Sequence, residues 1–267
     1  MIPMTTTLPS DLNQAMTVVK YEILKYLRGK KLLVFLGLIT LIMVLFTAMP
    51  YLLGERAGLP TDAGELMIWY MAFIMILIIL AVTLFAADSL ASEFEHRTGL
   101  LLLPRPIKRE VMFAGKFIAS YLVSAIMILI FYVSVFVISF AVTGEVTSKG
   151  YTSLGMAMLY ILAATGLGFL FSAFMARGNT AAILLFACLL MIFPIIDVVF
   201  MFADIEPVFS LTYNGDSVYY ALTDAETNSD FGFTTYVPKL SSAAPVLAGW
   251  AILTTAIAAF KFKRREF

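Results

Sequence analysis

One histidine, His96, and one cysteine, Cys188, are present in 267 residues. Neither a histidine metal cluster, nor a cysteine-rich zinc site, nor an intramolecular disulfide can be built from them. Two Gly-Lys pairs, Gly29-Lys30 and Gly115-Lys116, evoke a phosphate loop, but Lys31 and Phe117 follow them where Ser or Thr is needed, and the earlier glycine is missing. The chain therefore carries no site for cradling nucleotide phosphates. Asp224-x-Glu226-x-Asn228-x-Asp230 has the alternate spacing of calcium ligands. Ser229 stands in place of the turn glycine and Thr235 in place of the bidentate glutamate, which weakens that reading. Asp197 is the one charge inside a long apolar segment. These residues supply no catalytic constellation, so no enzymatic activity is expected of this chain, and no metal or other cofactor.

The elements that hold these residues follow from composition. Apolar residues make up 61% of the chain and charged ones 13%, against roughly 45–50% and about 25% in soluble domains. Six stretches, residues 32–53, 66–87, 117–143, 154–174, 181–202 and 243–260, contain Asp197 and no other charge. Each is long enough to cross about 30 Å of hydrocarbon as a helix, which lipid favours because every backbone polar group is satisfied internally. The expected fold is an all-α polytopic membrane protein, residues 1–267 forming a single transmembrane domain with six transmembrane helices.

Of 18 Lys and Arg residues, 15 fall before the first stretch, between the second and third, between the fourth and fifth, and after the sixth. Only Arg56, Lys149 and Lys239 fall on the other side. The positive-inside rule then places both termini in the cytoplasm of a multi-pass plasma-membrane protein. No cleavable signal peptide is read, because the first apolar run is too long and starts too late. Between residues 12 and 31, Leu12, Met16, Val19, Ile23, Tyr26 and Leu27 share one arc at 100° per residue. An amphipathic helix on the cytoplasmic membrane surface is expected, serving as an anchor or as a lever, with Gly29 as its hinge into the first span. Membrane lipid is thus a partner, and nucleic acid is not. The last outer connection, residues 203–242, holds six acids and seven aromatics, a composition for a folded cap or re-entrant element rather than a linker.

The inner connection, residues 88–116, is the most informative. The second span is expected to run on as helix through Glu93 until Gly99, with His96 and Arg97 near the negative end of its dipole. Leu100, Leu101, Leu102 and Leu103 follow outside any span and stop at Pro104 and Pro106. Four apolar residues in a row there either bury under the bundle or enter a groove on a partner. A basic helix then restarts and runs into the third span.

This segment resembles the cytoplasmic signature of ABC-2-type permeases, the membrane subunits of ATP-binding-cassette transporters. The elements are Glu93 and Glu95, Thr98-Gly99, the four leucines, Pro106-Ile107, Lys108-Arg109 and Gly115-Lys116. Thr98-Gly99 inverts the commoner order, and Arg105 separates two prolines. The resemblance implies a cytoplasmic coupling helix between spans 2 and 3, seated in a cleft of a nucleotide-binding subunit. Glu93, Glu95, Arg97, Thr98, Gly99 and Leu100 to Leu103 would make that contact, together with the surface helix ending near Arg28. It further implies ATP and Mg on a partner ATPase, a second permease copy or a paralogue completing a dimer, and export of a substrate that the residues do not identify.

Within the spans, Ala164, Gly168 and Ser172 recur four apart and permit close helix approach, inside one protomer or at a dimer seam. Asp197 lies near the outer end of its span, where an interfacial acid is expected rather than a mid-membrane proton site. A secondary transporter, which ordinarily places ionisable groups near mid-membrane, and a membrane scaffold or maturation factor working with an ATPase are the alternative readings.

Overall fold

The computed structural model of the protein describes residues 10–52, 59–92, 108–223, 228–230 and 233–264. In chain order the helices are α1 (Asp11–Arg28), α2 (Lys30–Leu52), α3 (Ala63–Met71), α4 (Ile74–Phe85), α5 (Arg109–Thr143), α6 (Ser148–Phe174), α7 (Gly178–Ala187), α8 (Phe193–Phe202), α9 (Leu211–Gly215), α10 (Ser217–Tyr220) and α11 (Leu240–Arg264). One π-helical turn, Cys188–Ile192, joins α7 to α8. Strands β1 (Asn228–Asp230) and β2 (Phe233–Thr235) form a small antiparallel hairpin. Among the described residues that hairpin is the only β structure.

Five segments are long and apolar enough to cross a membrane: α2, α5, α6, the run Gly178–Phe202, and α11. The expected second span differs from a plain helix. It is the pair α3 and α4, bent by 43° at a short break, and it brings the number of spans to six if the pair crosses as one. The chain is a multi-pass helical membrane protein.

The sixth helix is the hub. Of its most apolar window 61% is buried, against 22% for α2 and for Gly178–Phe202. Its small residues explain that position, because helices in lipid associate by close backbone approach rather than by the hydrophobic effect. A Cβ on Gly166 would collide with the Thr254 hydroxyl of α11, and one on Gly150 would lie 2.7 Å from the Met67 sulfur of α3. By contrast, Leu33, Val34, Leu41 and Leu45 of α2, and Ile183, Val199 and Phe202 of the fifth span, are exposed outward, as lipid-facing side chains are.

The π turn sits just before Pro194. Proline lacks the N–H that an α-helical bond would use and crowds the carbonyl four residues earlier. A wider turn at that point relieves the conflict. Glycine is required at Gly144, which ends α5 in the left-handed region at φ 80° while its N–H bonds the Phe140 carbonyl.

Connections divide the bundle into two ends. At one, the basic end, lie α1, the C-terminal ends of α4 and α11, the N-terminal end of α5, and the turn between α6 and α7. At the far end, residues 203–223 fold back onto the bundle. Leu211, Tyr213, Asn214 and Val218 are buried there, and the Ser153 hydroxyl of α6 donates to the Val218 carbonyl at 2.5 Å. Asn228 pairs with Thr235 in the hairpin. The two calcium-like positions that are described are therefore extended strand rather than a ligand loop, and Asp224 and Glu226 lie outside the described residues.

Candidate functional site: a collar at the basic end

Residues 93–107 lie outside the described residues. Glu93, Glu95, Arg97, Thr98, Gly99, Leu100, Leu101, Leu102 and Leu103 are therefore not placed, and neither is a coupling helix. What is described is the frame from which that segment leaves, at Ser92, and to which it returns, at Lys108.

The departing strand of this frame differs from the expectation of a helix running unbroken through Glu93. The fourth helix ends at Phe85, and residues 86–90 form turns before Ala91 and Ser92 resume helical conformation. Side chains from three other elements take over the backbone groups that the break frees. Tyr26 of α1 donates its hydroxyl to the Phe85 carbonyl at 2.6 Å. Lys31 of α2 donates to the Leu84 carbonyl at 3.2 Å. Ser172 of α6 accepts from the N–H groups of Leu90 and Ala91 at 3.0 and 2.9 Å. An unpaired buried backbone group is costly, so these contacts hold the turn where the sequence by itself favours helix. Lys31 also forms an ion pair with Asp88 at 2.5 Å, and a Cβ on Gly178 would lie 3.0 Å from the Asp88 Cβ.

The returning strand is held as firmly. Lys108 pairs with Asp11 of α1 at 2.6 Å, and Glu110 pairs with Lys263 of α11 at 2.5 Å. Arg109 donates to the Lys263 carbonyl at 3.3 Å. The Asp11 carboxylate raises the pKa of Lys108, and the Lys263 ammonium lowers that of Glu110. Both pairs are solvent-exposed, so each contributes little by itself.

Beneath them the contact becomes apolar and tight. A Cβ on Gly115 would come within 2.7 Å of Val18 Cβ, and Lys116 donates to the Glu22 carboxylate in a buried pair. Tyr26 adds a hydroxyl contact to Ser120 at 3.1 Å.

The amphipathic arc read in the sequence divides between two surroundings. Val19 and Tyr26 are buried against the bundle with Glu22. Leu12, Met16 and Leu27 point outward, 73%, 62% and 55% exposed. Arg28 is exposed at the end of the helix, and Gly29 breaks the chain for one extended residue before α2 begins. Sequence periodicity identifies the apolar arc but not the acid beside it, since a buried Glu22 makes sense only with Lys116 across from it.

Ala164, Gly168 and Ser172 are all buried. Gly168 faces Leu185, Ala86 and Ala87, and Ser172 caps the turn after α4 as described. Among the described glycines the least room for a Cβ is at Gly166, on a different face and against α11. No spacing rule singled it out, because that contact depends on Thr254 and Thr255, nearly ninety residues on. Among the described residues no group of His, Cys, Asp and Glu is arranged to hold a metal ion.

A family model described as ABC-2 family transporter protein matches residues 16–267. The match takes in most of α1, every apolar segment and all of the collar but Asp11. No curated protein sequence matches the chain significantly.

Proposed function

The chain belongs to the ABC-2 family of transporter proteins, and on that premise we propose that it is the permease subunit of an ATP-binding-cassette transporter. ATP is bound with Mg and hydrolysed on a separate ATPase subunit. Residues 88–116 dock on that subunit, with Glu93, Glu95, Arg97, Thr98 and Gly99 at a charged rim and Leu100, Leu101, Leu102 and Leu103 as the apolar anchor. The surface helix joins the contact near Arg28. A second copy or a paralogous permease completes the translocation unit. Counting the bent pair as one span leaves both termini on one side, and the Lys and Arg bias supports the cytoplasm of a cell membrane as that side; export is the direction proposed.

The observation that carries this reading is the collar. Both ends of the segment 93–107 are fixed to several elements at once: to α1, α2 and α6 on leaving, and to α1 and α11 on returning. A partner that pushes on the segment thus moves the surface helix and several spans together, which is how a small displacement at a docking site becomes a rigid-body rearrangement. The outward apolar face of α1 supports its place at the membrane surface, where Leu12, Met16 and Leu27 meet acyl chains.

Affinity purification from native membrane, followed by ATPase assay of the reconstituted complex, tests the proposal. An ATP-binding-cassette ATPase is expected to co-purify, and Leu101→Glu or Glu93→Arg is expected to uncouple its hydrolysis from transport while the chain stays in the membrane. A chain that transports with no ATPase present, or variants with unchanged assembly and transport, would overturn it.

A further inference from the structure

Asp197 does not face the membrane interface as an isolated acid would. It is 6% exposed, and the Thr212 hydroxyl of α9 donates to its Oδ2 at 2.5 Å. Its Oδ1 is buried without a hydrogen-bond partner. One turn beyond Thr212 stands Asp216, whose N–H bonds the Thr212 carbonyl at 2.9 Å. The Asp197 charge acts on Asp216, and both charges act on Tyr160 of α6. The Tyr160 ring lies against the backbone of Gly215, where a Cβ would be 2.6 Å from ring Cε2. Its hydroxyl is fully buried and has no partner, and the same is true of Asn214 Oδ1. Asp197 is thus buried against Thr212, and the half-buried Asp216 stands one helical turn further along the same short segment.

Strand β2 packs on α8 and carries no titratable group. The fourth helix contributes no titratable group, and α11 carries its charges, Lys261, Lys263 and Arg264, only at the basic end. The α6 residue facing the pair is Tyr160. The ninth and tenth helices add Tyr213, which donates to Glu206 at 2.7 Å, and Tyr219 and Tyr220. Among the described residues, neither Asp197 nor Asp216 is ion-paired to a Lys or Arg. Two like charges a helical turn apart, with no counter-charge among the described residues, cannot both remain ionised at low cost. A proton on one carboxyl removes the repulsion and turns an acceptor into a donor.

We propose that Asp197 and Asp216 form a proton-binding site that takes one proton from water at the far end of the bundle and, when occupied, holds the segment 203–223 closed on α6 and α8. Loss of the proton leaves two ionised carboxylates, and their repulsion loosens α9 and α10 from the outer half of the fifth span. That half lies just beyond the π turn at Cys188–Ile192. The site lies at the end of the span rather than mid-membrane, so it acts as a latch and not as a relay across the bilayer. Burial first, and the Asp197 charge second, push the Asp216 carboxyl up to about 7, which places the transition near neutrality. The inference concerns the far end and does not depend on how the collar meets an ATPase.

Trp250 reports on the latch, because its indole N–H donates to the Phe209 carbonyl at 2.8 Å just before α9. Full-length protein in lipid nanodiscs, with the other tryptophan removed as Trp69→Phe, is titrated between about pH 5 and 9 while Trp250 fluorescence is followed. A reversible transition within about one unit of neutrality is expected, lost in Asp216→Asn and moved to lower pH in Asp197→Asn. Infrared difference spectra of the unsubstituted protein over the same range give a second measurement, in which one buried carboxyl should lose its proton. An unchanged fluorescence transition in Asp216→Asn would overturn the proposal, and so would infrared spectra with no carboxyl titrating near neutrality. So would a transition that sodium abolishes at constant ionic strength, which would make the site one for a metal cation.

Discussion

Lys116, at the start of the third span, is 2% exposed and donates its ammonium hydrogen bond to Glu22 on the N-terminal helix, 94 residues away in sequence. Lys25 adds a second, looser contact to the same carboxylate at 3.4 Å. The pair fixes the rotation of α1 about its axis. Only with Glu22 inward do Val19 and Tyr26 reach the bundle while Leu12, Met16 and Leu27 face away. A buried ion pair gives little net stability against an apolar replacement, but breaking one side strands a charge. Its value here is orientation.

Removing one partner should therefore cost far more than removing both. Glu22→Gln or Lys116→Met is expected to destabilise the protein by about 3–5 kcal/mol, and the double variant to recover most of that loss. Thermal unfolding of the purified protein in detergent, run as a double-mutant cycle, measures the coupling. Additive losses in the double variant would remove the orienting role from the pair.

Gly115 is the steric counterpart of that ion pair. Because a Cβ there would sit 2.7 Å from both Val18 Cβ and Cγ1 and 3.1 Å from the Ala15 carbonyl, Gly115→Ala should push α1 away from α5 at a cost of about 1–3 kcal/mol. Gly155→Ala, at a position with nothing within 4 Å of the added carbon, is the control and should be neutral or slightly stabilising. Protease sensitivity of α1 distinguishes a displaced helix from general destabilisation, rising only in the first variant.

Tyr26→Phe tests the break after α4. The substitution keeps the ring contact with Phe85, 5.5 Å between centroids, but removes the hydroxyl that serves the Phe85 carbonyl and Ser120. A loss of about 1–3 kcal/mol is expected. Faster hydrogen exchange should accompany it at residues 86–92, while α11 stays protected.

The Asp216 carboxyl also gives stability a definite dependence on pH. Its pKa rises from 3.8 to about 7 in the folded protein, so the folded state binds the proton more tightly than the unfolded chain does. The contribution is fully present below about pH 4, declines as pH rises, and is gone above about 7. Melting temperature should fall over that interval, and Asp216→Asn should flatten the slope. A slope unchanged in the variant would assign the effect to other groups.

Features that depend on neighbours along the chain were legible without coordinates. Runs of about twenty apolar residues with one acid among them mark the spans because hydropathy is local and lipid tolerates few alternatives to helix. The arc of Leu12, Met16, Val19, Ile23, Tyr26 and Leu27 appears from the helical repeat alone, and the signature around Leu100 to Leu103 points to the transporter family. Asp197 shows where such reading stops. Its position near the end of a span is plain from counting, but not that Thr212 and Asp216 turn back to meet it.

Composition, multi-pass helical character and family were thus determined by the sequence itself, because each rests on residues adjacent in the chain or on one helical repeat. Tertiary structure decided which part of the α1 arc is buried, where α4 stops, and that Gly166 faces Thr254 with no room for a Cβ. It also decided that Glu22 faces Lys116 and that Asp197 faces Thr212. Each of these is settled by a contact between elements far apart in sequence. The energy of such a contact is set by the distance to the partner and by the exclusion of water, and neither is written in any one segment.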